Sequence, residues 1–110
     1  MGAVMMVTDE RADEAFHYLV DSTGKIGAAK AELERSEIMR KRVRKRLFLG
    51  APEGAVAHRE AFAEVQDETI QADERYIKAV ESFESMKAKR DIESIALDVW
   101  RTESANRRRA

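Results

Sequence analysis

Apolar residues recur every three or four positions along most of this 110-residue chain, a pattern typical of amphipathic helices. The longest series predicts a coiled-coil seam on one long helix, because its members alternate spacings of three and four. These members are Ala55, His58, Phe62, Val65, Thr69, Ala72, Tyr76, Ala79, Phe83 and Met86. Beyond Arg90 the apolar positions restart in a shifted phase at Ile92, Ile95 and Val99. The long helix therefore either breaks at Asp91 or turns a second face towards its neighbours.

Glycines and the one proline fall mainly into two clusters that mark helix ends, at 24–27 and at 50–54. Thr8 is placed to cap the first helix, and Ser22 or Thr23 to cap the second. We expect helices over about residues 8–21, 23–49, 53–90 and 91–106.

The predicted fold class is all-α. Because the turn at 50–54 is short, the helices on either side of it are antiparallel neighbours. We expect an antiparallel helical hairpin with a long, coiled-coil-like third helix, three or four helices in total, in a single domain over residues 1–110. So short a domain buries a modest core, which favours a homo-oligomeric bundle. The expected oligomer interface consists of Phe62, Val65, Tyr76, Phe83, Met86, Ile95, Val99 and Trp100.

The net charge of -1 hides a strong segregation of charge along the chain. Six of the seven residues from Arg40 to Arg46 are cations, whereas the segment Glu53–Glu84 is strongly acidic. This basic run forms three adjacent cationic stripes on its helix, beside an apolar stripe at Met39, Val43 and Leu47. Like charges four residues apart destabilise a helix. We therefore expect either an external ligand or neighbouring acids to offset them.

The basic run fits three interpretations: a nucleic-acid surface, a membrane-surface patch, or half of a charge match with the acidic helix. Phosphate binding requires several cations on one surface, because affinity grows with the number of phosphates neutralised. Phe48, next along the chain, either stacks on a base or packs in the end of the hairpin. Charge matching across the hairpin would use Glu60, Glu64, Asp67 and Glu68. The candidate nucleic-acid-binding residues, with a second basic group from the long helix, are Arg40, Lys41, Arg42, Arg44, Lys45, Arg46, Lys87, Lys89 and Arg90.

The sequence contains no arrangement typical of catalysis or metal binding. There is no cysteine, and His17 and His58 stand apart from each other and from any ligand motif. We therefore expect a non-enzymatic protein with no cofactor and no metal. No stretch of the sequence approaches the roughly 20 apolar residues of a membrane helix, and the apolar segment Ala3–Val7 is too short for a signal peptide. The expected location is the cytoplasm, which for a phage-encoded protein is that of the bacterial host.

Two segments of the chain resemble a known family. A basic helix ends in Arg44-Lys45-Arg46-Leu47 before a glycine-containing turn, and a long helix runs through Lys87-Ala88-Lys89-Arg90. Over about residues 22–100 this arrangement is similar to the UvsY-type recombination mediators of T-even phages. In that family's DNA-binding helix, two basic residues separated by one position precede a leucine just before the turn. Arg44, Arg46 and Leu47 match this pattern.

The resemblance implies a small, all-helical protein that binds single-stranded DNA, forms ring-like homo-oligomers and helps to load a recombinase onto DNA covered by single-strand binding protein. We therefore expect a non-enzymatic, mediator-like homo-oligomer of phage origin in which Arg44 and Arg46 contact phosphates. The expected partners are single-stranded DNA, further copies of the chain, and a recombinase or single-strand binding protein, with no membrane. The alternatives are a protein-protein interaction module that modulates a host factor, and a purely structural hairpin with internally matched charges.

Overall fold

A computed structural model describes residues 5–109, which form three helices and no strand. Their bounds are Asp9–Leu49 for α1, Val56–Glu64 for α2 and Asp67–Arg109 for α3. The predicted all-α class, with a long third helix, is confirmed. The first residues of the apolar segment Ala3–Val7 lie outside the described residues, as do both ends of the predicted domain 1–110.

Thr8 caps α1, as predicted. Its hydroxyl oxygen accepts a hydrogen bond from the backbone N–H of Arg11 at 3.0 Å, which satisfies one of the donors that a first helical turn leaves open. The chain before α1 is held by Glu103 of α3, whose carboxylate accepts hydrogen bonds from the backbone N–H groups of Met6 and Val7 at 2.8 and 3.2 Å. Hydrogen bonds therefore hold both the first turn of α1 and the two residues Met6 and Val7 before it.

α1 is continuous where the sequence predicted the end of one helix and the start of another, so the predicted boundary at 21–23 is wrong. The hydroxyl of Thr23 donates back to the carbonyl of Leu19 at 2.8 Å, a bond made within a helix rather than at an N-cap. Ser22 is buried, and its hydroxyl accepts a hydrogen bond from Arg90 of α3. Both hydroxyls therefore serve the body of α1 and its packing.

Gly24 and Gly27 lie inside α1 with helical backbone, and neither has a positive φ. A β-carbon added to either one would meet no atom within 4 Å. Neither a turn nor a close approach therefore requires glycine at these positions. Each glycine costs roughly 1 kcal/mol relative to alanine inside a helix, so packing maintains α1 against its local propensity.

α1 ends at Leu49, as predicted, and Arg59 of α2 caps it. The Gly50 N–H donates to the carbonyl of Arg46 at 3.0 Å. Nη2 of Arg59 donates to the carbonyls of Phe48 and Leu49 at 3.0 and 3.5 Å, two of the acceptors that a helix C-terminus leaves open. The guanidinium also lies 4.5 Å from the centroid of the Phe48 ring. Arg59 thus couples α2 to the end of α1.

A break that the sequence did not predict divides the seam helix into α2 and α3. The hydroxyl of Thr69 donates to the carbonyl of Ala63. The side-chain amide of Gln66 donates to the carbonyl of Phe62 at 2.9 Å. These two bonds satisfy carbonyls that the end of α2 would otherwise leave open. The break is therefore locally stabilised, although the three-four spacing of apolar residues passes through it unchanged.

The predicted seam is confirmed within α3, where its members from Thr69 to Met86 are buried or half-buried. It is wrong for three earlier members, Ala55, His58 and Val65, which are exposed. Ala55 and Val65 flank the short helix α2 as its caps. Phe62 of α2 is half-buried, so it is the one predicted member before the break that is not exposed.

α3 continues through Asp91, so the predicted fourth helix at 91–106 is part of it. The inward stripe keeps its three-four spacing beyond Met86 because Arg90 and Glu93 occupy its next two positions, followed by Leu97. The apparent change of phase in the sequence arises because these two positions are charged rather than apolar.

The two charged members of the inward stripe find partners on α1. Arg90 donates through Nη1 to the carbonyl of Leu19 at 2.8 Å. Glu93 is buried and accepts a hydrogen bond from Arg11. A buried charge is tolerated when it is paired and hydrogen-bonded. Because each has a partner on α1, Arg90 and Glu93 can occupy two successive positions of the inward stripe.

The described residues pack as two compact units, to which α1 and α3 both contribute. Unit 1 contains the chain up to Gly27 and from Glu84 onwards, and unit 2 contains Ala28–Phe83. The core of unit 1 is a buried apolar cluster with half-buried side chains around it. The cluster comprises Val7, Ala12, Ala15 and Leu97, with Leu19, Ala96, Val99 and Trp100 packed against it. The single domain over the whole chain stays a prediction.

Small side chains line the centre of unit 2. Ser36 and Thr69 are the largest fully buried side chains, and Ala63, Ala72 and Ala79 are its buried apolar residues. Small residues allow two helices to approach closely, but each contributes little buried apolar surface. Unit 2 therefore relies also on half-buried larger residues and on pairs of charges.

Candidate nucleic-acid interface

The basic run, Arg40–Arg46, lies on the last turns of α1 in unit 2. Its cations point in different directions, because successive residues are about 100° apart around a helix. Two are half-buried, Arg40 and Arg44, and four are exposed, Lys41, Arg42, Lys45 and Arg46. Of the predicted apolar stripe, Val43 and Leu47 are half-buried, whereas Met39 is exposed.

Arg44 uses all three of its guanidinium nitrogens on two carboxylates. Towards Glu64 of α2, Nε donates to Oε1 at 2.6 Å and Nη2 donates to Oε2 at 3.2 Å. Towards Asp73 of α3, Nη1 donates to Oδ1 at 2.7 Å and Nη2 donates to Oδ2 at 2.6 Å. Both pairs are bidentate, which is the geometry that suits arginine and a carboxylate best. Arg44 therefore links all three helices.

Two further cations of the run pair with groups of the same unit. Nε of Arg40 donates to Oδ1 of Asp73 at 3.2 Å, and its guanidinium lies 4.5 Å from the centroid of the Tyr76 ring. Arg46 pairs with Glu68. Both side chains of this last pair are more than half exposed, so water and salt weaken it.

The arginine donors shift the pKa of both carboxyls that Arg44 binds. Hydrogen bonds from Arg44 lower the pKa of Asp73 and of Glu64 below their ordinary values, while partial burial opposes the shift. The same hydrogen bonds raise the pKa of Arg44 above its ordinary value. Folding therefore favours the charged forms of all three groups.

The basic run does form ion pairs with acids of the other two helices, as one of the three interpretations predicted, but not with all of the predicted acids. Glu64 and Glu68 pair with the basic run, whereas Glu60 and Asp67 make no ion pair among residues 5–109. Asp73 was missed, although it accepts hydrogen bonds from two arginines. It directly follows Ala72, a buried member of the seam, and this position at the edge of the α1 contact is the signal that could have found it.

Arg44 and Arg46 are therefore not open contacts for phosphate. The expected phosphate contact requires an accessible guanidinium, whereas the side chain of Arg44 is only 26% exposed. Arg46 is exposed but paired. A phosphate at Arg44 would first have to displace two bidentate carboxylates. Phosphate contact by these two residues stays a prediction that the geometry disfavours.

The cations that remain accessible in the run are Lys41, Arg42 and Lys45. Nζ of Lys41 lies 3.5 Å from a carboxylate oxygen of Glu37, one turn earlier on α1. Arg42 and Lys45 form no ion pair within the described part of the chain. The three cations occupy neighbouring positions on the side of α1 that faces away from α3.

Phe48 has a partner within the chain. Its ring is half-buried, and Arg59 covers one face of it. Of the two alternatives that the sequence allowed, packing at the end of the hairpin is the one observed. A base stacking on this face would have to displace Arg59, which also caps α1.

The second basic group, in unit 1, is only partly available. The ammonium of Lys89 lies 4.4 Å from the centroid of the Tyr18 ring. Arg90 is half-buried and donates to α1, which disfavours the nucleic-acid contact that the sequence predicts for it. Lys87 is exposed. In this group, Arg90 thus binds the backbone of α1 and Lys89 lies over an aromatic ring.

The residues predicted for an oligomer interface divide into two groups. Six are half-buried inside the chain: Phe62, Tyr76, Phe83, Met86, Val99 and Trp100. Val65 and Ile95 are exposed. Ile92, which the sequence analysis did not assign to an interface, is as exposed as Ile95. The exposed isoleucines belong to the apolar series whose shifted phase was noted in the sequence.

Comparison of the chain with protein-family models, with curated proteins and with solved structures finds no match. Within residues 5–109, no group of His, Cys, Asp and Glu side chains is arranged to hold a metal ion. None of the helices in that range is long and apolar enough to cross a membrane. The functional argument therefore depends on the geometry of the chain itself.

Replacing Arg44 by methionine is expected to lower the free energy of unfolding by about 1 kcal/mol at neutral pH. Because the pKa values of Asp73 and Glu64 are lowered on folding, their contribution is fully present above the ordinary values of 3.8 and 4.5. It is lost as the pH falls through the lower folded-state values. Urea unfolding followed by circular dichroism should show the parent and the variant converging at acidic pH.

The matched control is Lys30→Met, which removes an exposed cation of the same helix that has no ion-pair partner among residues 5–109. It should leave stability nearly unchanged at both pH values. A difference between the parent and Arg44→Met that is equally large at neutral and acidic pH would contradict the assigned ion pairs.

Proposed function

We propose that the chain is a non-enzymatic helical protein that assembles with copies of itself. The observation that carries this proposal is a second apolar stripe on α3, distinct from the one that packs on α1. This α3 stripe consists of Ala88, Ile92 and Ile95, at spacings of four and three, the pattern by which helices associate. It ends beside Val99, which is half-buried against the core of unit 1. Ile92 and Ile95 are 59% and 61% exposed, so the chain itself does not cover them.

The core within the chain is small. In the described residues the buried apolar side chains are Val7, Ala12, Ala15, Ala63, Ala72, Ala79 and Leu97. Most are alanine, whereas burying a larger aliphatic side chain contributes roughly 1.5–3 kcal/mol. The larger apolar side chains left exposed are Met6, Phe16, Val20, Ile38, Met39, Leu49, Val56, Val65, Ile70, Ile77, Ile92 and Ile95. Association would bury part of this surface and add to the stability of a thin core.

Another copy of the chain is a suitable occupant for an exposed stripe. It supplies long helices with apolar and charged positions at the same three-four spacing. It is also present wherever the protein is present, so assembly requires no other component. The homo-oligomer expected from the sequence is therefore retained as the proposal that the exposed isoleucines support.

The parent protein is expected to sediment above its monomer mass of 12.5 kDa, with a size that increases with concentration. The double variant Ile92→Lys, Ile95→Lys should sediment as a monomer, because assembly would bury unpaired ammonium groups. The matched control is Ile77→Lys, at an exposed isoleucine of α3 outside the stripe. Circular dichroism establishes that each variant keeps its helices. A parent that remains at 12.5 kDa up to its solubility limit would contradict the proposal.

A second candidate function is the binding of single-stranded DNA, which the accessible cations Lys41, Arg42 and Lys45 favour. Phosphate contacts by so few cations would give weak, salt-dependent binding for each copy. They would give no sequence preference, because no element within residues 5–109 is arranged to read base edges. In the mediator-like version implied by the resemblance to UvsY-type proteins, an assembly binds one DNA strand through the weak sites of several copies at once. A recombinase or single-strand binding protein would then be a further partner.

A further inference from the structure

The free edge of the α3 stripe is acidic. Glu84, Asp91 and Asp98 follow this edge at intervals of seven residues, and all three are exposed. The opposite edge turns towards α1 of the same unit, where Lys89 lies over the Tyr18 ring. A helix that docks on the stripe therefore meets a row of acids along one side. Its own composition should be apolar and basic.

The same stripe of a second copy is a poor occupant. In a symmetric antiparallel pair of helices equal edges face each other, so Asp91 and its neighbours would oppose acids of the second copy. In a parallel pair, Asp98 would oppose Glu103, and only Glu84 would face a cation, Lys89, which already lies over the Tyr18 ring. Like charges placed opposite each other disfavour an interface. A different surface of the second copy must therefore cover the stripe.

The outer face of α1 in unit 2 has the required composition. It consists of Arg35, Ile38, Arg42, Lys45 and Leu49, which recur at spacings of three and four and are all exposed. None of its three cations forms an ion pair with any residue from 5 to 109. Ile38 stands between Arg35 and Arg42, and Leu49 follows Lys45 at the end of the face. Lys45 and Leu49 border a cavity that Glu60 and Glu64 of α2 also line.

The two surfaces also match in length and in the spacing of charge. The segments Glu84–Asp98 and Arg35–Leu49 each extend about 21 Å along a helix. Arg35 and Arg42 are seven residues apart, which is the interval between successive acids at the edge of the stripe. Arginine and lysine side chains lie along apolar surface while their charged ends reach beyond it. Such side chains could cross Ile92 and Ile95 to the acidic edge.

We propose that the α3 stripe of one copy docks on the outer face of α1 of a second copy. This inference rests on the self-assembly proposed above and specifies its interface. Because the two surfaces differ, each copy keeps one of each kind available for a further copy. Such head-to-tail contacts close into a ring or extend as a fibre, according to the rotation between successive copies. Arg42 and Lys45 then serve assembly rather than nucleic-acid binding.

Charge reversal on each surface, followed by mixing, tests this interface. One variant carries Asp91→Lys and Asp98→Lys, and the other carries Arg42→Glu and Lys45→Glu. Each variant alone should sediment at 12.5 kDa, because its two surfaces repel. An equimolar mixture should recover the mass of the parent assembly, since every contact between the two variants is again between opposite charges.

A control with the same number of reversed acids carries Glu10→Lys and Glu53→Lys, at exposed positions outside both surfaces. It should assemble like the parent. Circular dichroism identifies any variant that loses helix, and the neutral versions Asp91→Asn, Asp98→Asn and Arg42→Gln, Lys45→Gln then replace it. Each neutral version should weaken assembly of its own surface.

The outcomes separate the two proposals. A monomeric parent would remove self-assembly and this interface together. A parent that assembles, with charge-reversed variants that assemble equally well or that do not recover on mixing, would overturn the interface alone. A labelled single-stranded oligonucleotide, added at two salt concentrations, provides one further arm. If Arg42→Glu with Lys45→Glu keeps the parent's assembly but loses binding of the oligonucleotide, the basic face is a nucleic-acid site and the interface is wrong.

Discussion

Ala15→Leu is expected to lower the free energy of unfolding by about 2 kcal/mol, a value typical of overpacked cores. Ala15 has no exposed surface and belongs to the cluster formed with Val7, Ala12 and Leu97. Leucine is much larger, so it would either force α3 away from α1 in unit 1 or adopt a strained rotamer, because protein interiors have few voids to receive it. Chemical unfolding followed by circular dichroism measures the change.

The matched control is Ala28→Leu, which makes the same replacement at an exposed position of α1. Its stability should stay within about 0.5 kcal/mol of the parent, as is usual for surface substitutions. Equal stability of Ala15→Leu and Ala28→Leu would show that Ala15 does not lie between packed helices. The alanine-lined core would then be wrong.

The double variant Gly24→Ala, Gly27→Ala is expected to raise the free energy of unfolding by about 1–2 kcal/mol. Both glycines are helical and have free space where a β-carbon would lie. Alanine therefore fits without strain, has the higher helix propensity, and leaves the unfolded chain fewer conformations. The same unfolding experiment, with parent and variant at equal concentration, measures the gain.

Gly54→Ala is the appropriate comparison, because this glycine lies between α1 and α2 and its added β-carbon would meet only the β-carbon of His58, at an ordinary 3.8 Å. It should show no gain from helix propensity. If the double variant at Gly24 and Gly27 were instead destabilised, a turn or a close contact would have to exist there. The two-helix interpretation of residues 8–49 would then regain support.

Local sequence signals identified the helical character of the chain, but they predicted boundaries at 21–23 and at Asp91 that are absent, and they missed the break between α2 and α3. The signals at Ser22, Thr23 and Gly24 are those of a helix start, yet the hydroxyl of Ser22 binds Arg90, a residue far away in the sequence. Propensity cannot reveal such a partner. At the break between α2 and α3 the periodicity is intact, so only the hydrogen bonds of Gln66 and Thr69 distinguish it from a continuous helix.

At the candidate site, too, the sequence identified some features and missed others. The sequence identified the basic run and the acidic segment that neutralises part of it, because both depend only on composition and helical phase. It did not identify Arg44 as the inward cation, since this depends on where α2 and α3 place Glu64 and Asp73. The exposure of Ile92 was also missed, because its regular apolar spacing with Ile95 is compatible with either a core or an outer face.

The small residues along α1 have a consequence for how the helices of unit 1 align. Ala15 and Ser22 are one heptad apart, and both are buried. If α3 slid by one heptad, one small side chain would replace the other, so these two positions by themselves define the register only weakly. Sliding would, however, separate buried Glu93 from Arg11 and leave it with an uncompensated charge. The small residues permit close contact, and polar contacts such as this charged pair specify the alignment of the helices in unit 1.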